Sequence, residues 1–393
     1  MVFHDRKCEP KARGFCPGTI IARIMTRNTQ ENGEGAYLSV VVTSRNDDHG
    51  GDILKRMQLF QNGLLEHSRR YRFPVELIVV EWNPPENRPR LHEVLPKPRT
   101  DDCLELRYIV VPASIHCRYR RAADIPLFQM IAKNVGIRRA RGAFILCTNV
   151  DLLFSDSLFR ALASRTLCPD MYYRANRCDV PDAIDPRWDL PQQLDWCERN
   201  IMRRLGRDLR YKHFNFELLG LQSRGAVTKW FLDKAAFIIG RYWSPEKRLF
   251  YQSDLFACGD FTLMSREAWH AIQGYVELDL YSLHVDSLGL VAAAALGYRQ
   301  HVFPPEACTY HIDHLLSWEA LSPLEKVKFL ADRPGLDYGL VQEVALYALK
   351  KREPWHLNSP NWGYADLELE EVVFPAHAAH AADAAGRKVS AGR

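Results

Sequence analysis

Four stretches in the first half of the chain are apolar almost throughout and rich in β-branched side chains: Tyr37–Thr43, Pro74–Val80, Leu104–Val111 and Ala143–Thr148. Stretches of this kind read as buried strands. Helical patterns separate them. His49-Gly-Gly-Asp52 opens a helix with Asp52 as its N-cap, and Ile53, Met57, Phe60 and Leu64 follow at helical spacing. A second helix is predicted from Pro126, carrying Leu127, Met130, Ile131, Val135 and Arg138, with Gly142 closing it. A third starts at Ser155 or Asp156. The order β-α-β-β-α-β-α predicts an α/β, Rossmann-type, mixed but mostly parallel sheet with helices on both faces. Ligands of such sheets bind outside the carboxyl ends of the strands. Three ends then converge on one crevice: Thr43-Ser44-Arg45-Asn46, Glu81-Trp82 and Thr148-Asn149-Val150-Asp151. A carboxylate at such an end, Asp151, is placed to hold a cation against a ligand phosphate.

The rest of the 393 residues is less regular. Residues 1–35 are polar without a clear period and read as an N-terminal extension. Residues 36–320 read as the main domain, in two halves at 36–155 and 156–320. Ser322, Pro323 and Glu325 form a capping box that opens a C-terminal helical appendage over 321–374, and residues 375–393 read as a low-complexity, disordered tail. The formal charge of +4 is too small to imply nucleic acid. Arg199, Arg203, Arg204, Arg207, Arg210 and Lys212 crowd one stretch, which is either a solvated helix face or a surface for anionic headgroups. The ten cysteines lack disulfide or metal spacing, which points to reduced thiols in a cytoplasm. No window approaches the roughly 20 apolar residues of a membrane span, so any membrane contact is expected to be peripheral, at the inner face. Nothing speaks to oligomeric state.

Further segments carry a resemblance. These are Leu38–Asn46, Glu76–Glu81, Lys133-Asn-Val-Gly136 with Ala140-Arg-Gly142, Asn149-Val-Asp151, Gly274-Tyr275, Val285-Asp286 and Gly297-Tyr298. As an ordered set over residues 37–315 they resemble the GT-A-fold nucleotide-sugar glycosyltransferases, most of all the large inverting family that builds bacterial surface polysaccharides. The resemblance implies donor binding by Thr43, Ser44, Arg45, Asn46, Glu81, Lys133, Asn134 and Asn149. It implies Mn2+ or Mg2+ on Asp151, a UDP-sugar as donor and a glycan or glycolipid as acceptor. Two departures stand out: Asn149 replaces the first acid of Asp-X-Asp, and Val285 replaces the usual Glu before the base. An amide oxygen still ligates a hard cation or accepts from a ribose hydroxyl, but brings no charge.

For the base, Asp286 is the first candidate, with an N-cap for the following helix as its structural alternative. Asp260 is the rival, as base or acceptor contact. His311 and His314 are candidate metal or diphosphate ligands, and imidazole suits Mn2+ better than Mg2+. On a helix the two would share a face; on a loop that argument fails. Trp230 and Trp243 are candidate sugar platforms. Asn358–Tyr364 either closes over the site or caps the core. A Gly-X-Gly-X-X-Gly dehydrogenase loop and a Gly-Lys-Ser/Thr loop are absent from the sequence. The remaining alternative of another class is a non-catalytic scaffold of the same fold in a polysaccharide assembly complex.

Overall fold

The computed structural model describes residues 36–47, 49–99, 102–206, 232, 235, 239, 244–255, 258–314, 322–353 and 358–376. By internal contacts the chain divides into Met1–Gly35 and Ala36–Arg393; only the second unit contains described residues. It contains the expected mostly parallel sheet. Strands β1 (Leu38–Ser44), β2 (Val75–Trp82), β3 (Leu104–Val111) and β4 (Phe144–Thr148) lie side by side as β4-β1-β2-β3, all parallel. Alternation along these strands divides two cores. Val41, Ile78, Val80 and Ile145 pack with helix α2 (Gln129–Arg139), whereas Val40, Val42, Leu77 and Val79 pack with helix α1 (Ile53–Arg70). Helices therefore cover both faces.

Two helix starts differ from the expectation. Helix α2 begins at Gln129, beyond Pro126, and the Pro126 carbonyl instead accepts from Arg45 and Asn83. Asp52 does occupy the N-cap position of α1, but with φ 46° and no side-chain bond. That left-handed backbone is not the extended one from which a cap reaches the N3 amide. Ser155 does cap helix α3 (Asp156–Ala163), accepting from Leu158 N–H.

The sheet continues past β4 through β9 (Phe261–Ser265), antiparallel, to β6 (Met171–Arg174) and β10 (Arg299–Val302). Its far edge is β12 (Glu370–Phe374), antiparallel to β3. The segment expected as a purely helical appendage thus contributes a strand as well as helices α5 (Pro323–Asp332) and α6 (Tyr338–Lys351). Two leading glutamates in a five-residue run concealed it. A second sheet, ordered β5-β11-β7-β8, joins β5 (Leu152–Phe154), β11 (Cys308–Ile312), β7 (Asn176–Val180) and β8 (Arg203–Leu205). It shares no strand with the first.

The Asn358–Tyr364 segment caps the core. Asn358 Nδ2 donates to the carbonyls of Gln273 and Tyr275, and its Oδ1 accepts from Glu277 N–H. Trp362 is buried beneath the Arg138 guanidinium, 4.8 Å from its ring centre. Arg139 at the end of α2 donates to the carbonyls of Gly363, Tyr364 and Leu367.

At the amino ends of the strands a single buried carboxylate ties the sheet together. Glu76 accepts from Ser39, from Arg107 Nη1 at 2.6 Å, and from Arg141 through Nε at 2.6 Å and N–H at 2.9 Å. Burial works to raise its pKa, but those donors reverse the effect and hold it below the ordinary value. Removing one partner of such a pair strands the other charge in low dielectric. Glu76→Ala is expected to cost about 3–5 kcal/mol, read as a lower urea midpoint at unchanged m-value.

Candidate functional site

Register in the small sheet assembles the candidate metal ligands. Across β11, His311 stands opposite Leu152 on one side and Asp179 on the other, and Ile312 N–H donates to the Asp151 carbonyl at 2.9 Å. His311 Nε2 lies 3.7 Å, and His314 Nε2 3.4 Å, from Asp151 Oδ2. One ligand atom from each of the three side chains falls within a 4.8 Å group. His311 belongs to the strand itself and His314 lies just past its end, so they converge without the helix that sequence spacing would need.

The residues fit a divalent transition ion. One carboxylate and two imidazoles form an oxygen-nitrogen donor set suited to Mn2+. Asp151 Oδ1 and His314 Nδ1 are buried with no hydrogen-bond partner among the described residues, a cost that an ion at Asp151 relieves. A supporting carboxylate is present too. Asp179 Oδ1 is 3.2 Å from His311 Nδ1 and is held in turn by Arg177 Nε at 2.5 Å, while Asp179 Oδ2 accepts from Arg203 Nε at 2.6 Å. Asp179 stands as a charge contact behind His311 Nδ1, which has no hydrogen-bond partner among the described residues, and leaves Nε2 as the nitrogen that would face an ion at Asp151. Arg203 is thereby committed to the site; of its basic neighbours, Arg207, Arg210 and Lys212 lie outside the described residues.

The electrostatics follow from this crowding. Burial and the Arg177 charge lower the His311 pKa, but Asp151 and Asp179 outweigh them and raise it to about 9. Burial likewise works to raise Asp151, and the two histidines hold it well below the carboxylate range. Each group thus favours the charged form of the other.

The loop after β1 adds a residue that the sequence reading missed. The His49 ring is 6.2 Å from that of His314. The loop is pressed onto His314: a Cβ on Gly50, whose φ is +71°, would stand 2.8 Å from His314 Nδ1. Arg56, itself buried, shapes it by donating to the carbonyls of His49, Gly50 and Gly51. Two consecutive glycines after an exposed histidine were the available signal.

On the other side of Asp151, β9 runs antiparallel to β4, so it begins where β4 ends and sets Asp260 beside Asn149. Asn149 Nδ2 donates to Asp260 Oδ1 at 2.6 Å, and Asn149 Oδ1 accepts from Gln129 at 2.8 Å and Lys133 Nζ at 2.9 Å. Asn149 was expected at the donor site, as a weaker metal ligand or as a ribose contact alone; in the structure both ends of its amide are engaged by protein. Asp260 Oδ2 accepts from Arg177 at 2.9 Å. Lys133, fully buried, also donates to the Gly259 carbonyl at 2.8 Å, and Gly259 N–H donates to Asp286 Oδ2 at 2.8 Å. Burial lowers the Lys133 pKa, and Asp260, Asp286 and Asp151 oppose that. Asp286 is not the N-cap of α4 (Val285–Ala295); His284 holds that position, and Asp286 sits in the first turn, accepting from Ser287 N–H.

The expected donor-binding residues divide. Arg45, Asn46 and Glu81 gather at the ends of β1 and β2, where Ser44 pairs with Glu81 in register. Thr43 donates to the Val80 carbonyl and Asn46 to that of Pro89. Ser44 is buried. Glu81 accepts from Leu91 N–H, while its Oε2 and Asn46 Oδ1 are buried without partners among the described residues. Burial pushes Glu81 up to about 7. Asn134, in contrast, binds the Tyr275 backbone and Glu277, away from these strand ends. An Asn on a buried helix reads the same in sequence whichever neighbour it meets. Trp230 and Trp243 lie outside the described residues.

No protein-family model matches the chain, and no curated protein matches it. Among solved structures, it is similar to the mannosyltransferase PcManGT from Pyrobaculum calidifontis in complex with GDP-Man and Mn2+, at 17% identity and a TM-score of 0.38, over 91% of this chain and 77% of that one. GalNAc-T7 with UDP, GalNAc and Mn2+ is similar at 12% identity and a TM-score of 0.34, over 76% of this chain; the chain spans about half of that structure, 48%. Similarity this low says nothing of individual residues, and the site stands on its own geometry.

Two outcomes follow from the charges. An ion needs neutral His311, which in the metal-free chain stays protonated up to about pH 9. Mn2+ affinity is therefore expected to rise as pH rises from 6 to 8, by up to about tenfold per unit with one proton released per ion, as read by calorimetry in buffers of different ionisation enthalpy. Glu81 holds its proton more tightly folded than unfolded, so its contribution falls as pH rises from the ordinary carboxylate range to about 7. Glu81→Gln is expected to raise Tm relative to the parent at pH 8 and to leave the difference near zero at pH 4.

Proposed function

We propose that this chain is a GT-A-type glycosyltransferase moving a sugar from a nucleotide donor, with UDP-sugars tried first, to a hydroxyl of a glycan or glycolipid acceptor, with inversion. The observation that carries this reading is the Asp151–His311–His314 group beside the carboxyl ends of a parallel sheet, with Asp151 Oδ1 buried and unpartnered among the described residues. An ion held there would neutralise the charge of a departing diphosphate. In this reading His49 and Arg45, on the loop after β1, bind the diphosphate. In the same reading Asn46 and Glu81, each with an oxygen unpartnered among the described residues at the ends of β1 and β2, accept from the nucleoside.

Asp286 is the favoured base. Its carboxylate is partly exposed and oriented by two backbone N–H groups. Asp260 is buried, with one oxygen on Arg177 and the other on Asn149, which suits a positioning role better. In the proposed step Asp286 takes the acceptor hydroxyl proton, the acceptor oxygen bonds to the sugar C1, and the C1–phosphate oxygen bond breaks, releasing the nucleoside diphosphate. No helix among the described residues is long and apolar enough to cross a membrane. A cytoplasmic location with peripheral contact at an anionic surface is the accompanying proposal.

Calorimetric titration with UDP and with GDP, with and without Mn2+, tests the donor site before an acceptor is known. Mn2+-dependent binding that Asp151→Ala abolishes is expected. Failure of every nucleotide to bind would favour a non-catalytic carbohydrate-binding subunit. With donor and acceptor in hand, Asp286→Asn is expected to lower kcat by about 10²–10⁴-fold at unchanged nucleotide affinity.

A further inference from the structure

A buried polar chain runs from the metal-ligating group to Asp260 and on to Asp286, and Arg177 stands at its middle. Arg177 Nε donates to Asp179 Oδ1 at 2.5 Å, and Arg177 Nη1 donates to Asp260 Oδ2 at 2.9 Å. Past Asp179 comes His311 Nδ1 at 3.2 Å, and the far nitrogen of that ring faces Asp151. Past Asp260 come Asn149 and Lys133, then Gly259, whose N–H holds Asp286. Arg177 and Asp179 are two apart on β7 and so share a face, opposite Thr309 and His311 on β11.

Both acids are buried, Asp179 at 0% and Asp260 at 5% exposure. Taken as stability devices alone they are poor ones, since well-packed apolar residues often do as well as buried ion pairs. What the pairing supplies is position. A guanidinium is a rigid planar fork, so its two N–H directions cannot be set independently. The carboxylate that aims a metal-ligating histidine is thereby fixed relative to the carboxylate that holds the end of β4.

We propose that Arg177 is a positioning residue that links the metal centre to Asp260: it holds Asp179, which turns His311 Nε2 toward the ion, and with the same guanidinium it holds Asp260. This rests on the metal-dependent reading above. In this reading Arg177 acts through Asp179 and Asp260.

The test uses Mn2+ alone, titrated by calorimetry into the full chain, with circular dichroism to confirm folding. Arg177→Met is expected to weaken Mn2+ by about 10–100-fold, as loss of a carboxylate behind a metal-ligating histidine does. Asp179→Asn should match it, and the double variant should bind no more weakly than the weaker single. Asp260→Asn should weaken Mn2+ in the parent but not in Arg177→Met, because the effect travels through the guanidinium. Arg177→Lys, which keeps the charge but loses the fork, should fall between. Unchanged Mn2+ affinity in folded Arg177→Met overturns the proposal; so does additivity of the Arg177 and Asp179 losses, or an Asp260→Asn effect that persists without Arg177. Should Arg177→Met not fold, unchanged affinity in Arg177→Lys overturns it equally. A parent chain that binds no Mn2+ removes the metal reading and this inference together, whereas parent binding that ignores Arg177 removes this inference alone.

Discussion

The position of His311 between Asp151 and Asp179 depends on strand register, and the rest of the site depends on that position. Side chains alternate along a strand, so a slip of one residue would present Tyr310 or Ile312 where His311 stands. What prevents the slip is the opposite face of the same small sheet. Cys308, Tyr310 and Ile312 of β11 pack with Cys178 and Val180 of β7 and with Leu153 of β5 in one buried cluster. The apolar alternation sets the polar one. Chemistry on one face is thus a consequence of packing on the other, and strands as short as three residues suffice because they are fixed from beneath.

The two ends of the main sheet treat buried carboxylates in opposite ways, and β2 carries one of each. Glu76 and Glu81 are both fully buried on the same strand. Glu76 is met by Ser39, Arg107 and Arg141, and its pKa falls. Glu81 has one backbone donor and one idle oxygen, and its pKa climbs to about 7. A fold optimised only for stability would satisfy both or bury neither. The unsatisfied one lies at the carboxyl ends, where ligands of such sheets bind. Stability is concentrated at the amino ends, and unfilled bonding capacity at the carboxyl ends.

Strands β1 to β4 were legible because each holds a continuous apolar, largely β-branched or aliphatic run, a pattern that survives without any tertiary information. Asp151, His311 and His314 were legible by residue type and location. Their partners were not. Strand β7 reads Asn-Arg-Cys-Asp-Val, and only a cross-strand neighbour shows that Arg177 and Asp179 are buried pairs rather than solvated charges. The stretch around it looked irregular for that reason. Asn134 illustrates the converse: its amide suits a ligand or a turn equally, and the turn at Gly274–Glu277 claims it. His49 gave little signal because its relevance comes from Gly50 packing against His314, a contact between distant parts of the chain.

Asn149 shows how a departure from a familiar pattern can be a local electrostatic necessity. An Asp there would lose the amide N–H that now reaches Asp260 at 2.6 Å and would oppose one carboxylate with another. Lys133 and Arg177 would have to balance both carboxylates, and Lys133 is already fully buried and shared with the Gly259 carbonyl while Arg177 is shared with Asp179. A neutral amide resolves the conflict by donating to the acid and accepting from the ammonium in one plane. In the proposed reading the imidazoles of His311 and His314 across the small sheet, rather than a first acid, would complete the donor set with Asp151, and Asp179 supplies a charge behind His311. Positive and negative groups then alternate from Asp151 through His311, Asp179 and Arg177 to Asp260. At Asn149 that alternation requires a group able to donate on one side and accept on the other, which the side-chain amide is and an ionised carboxylate is not.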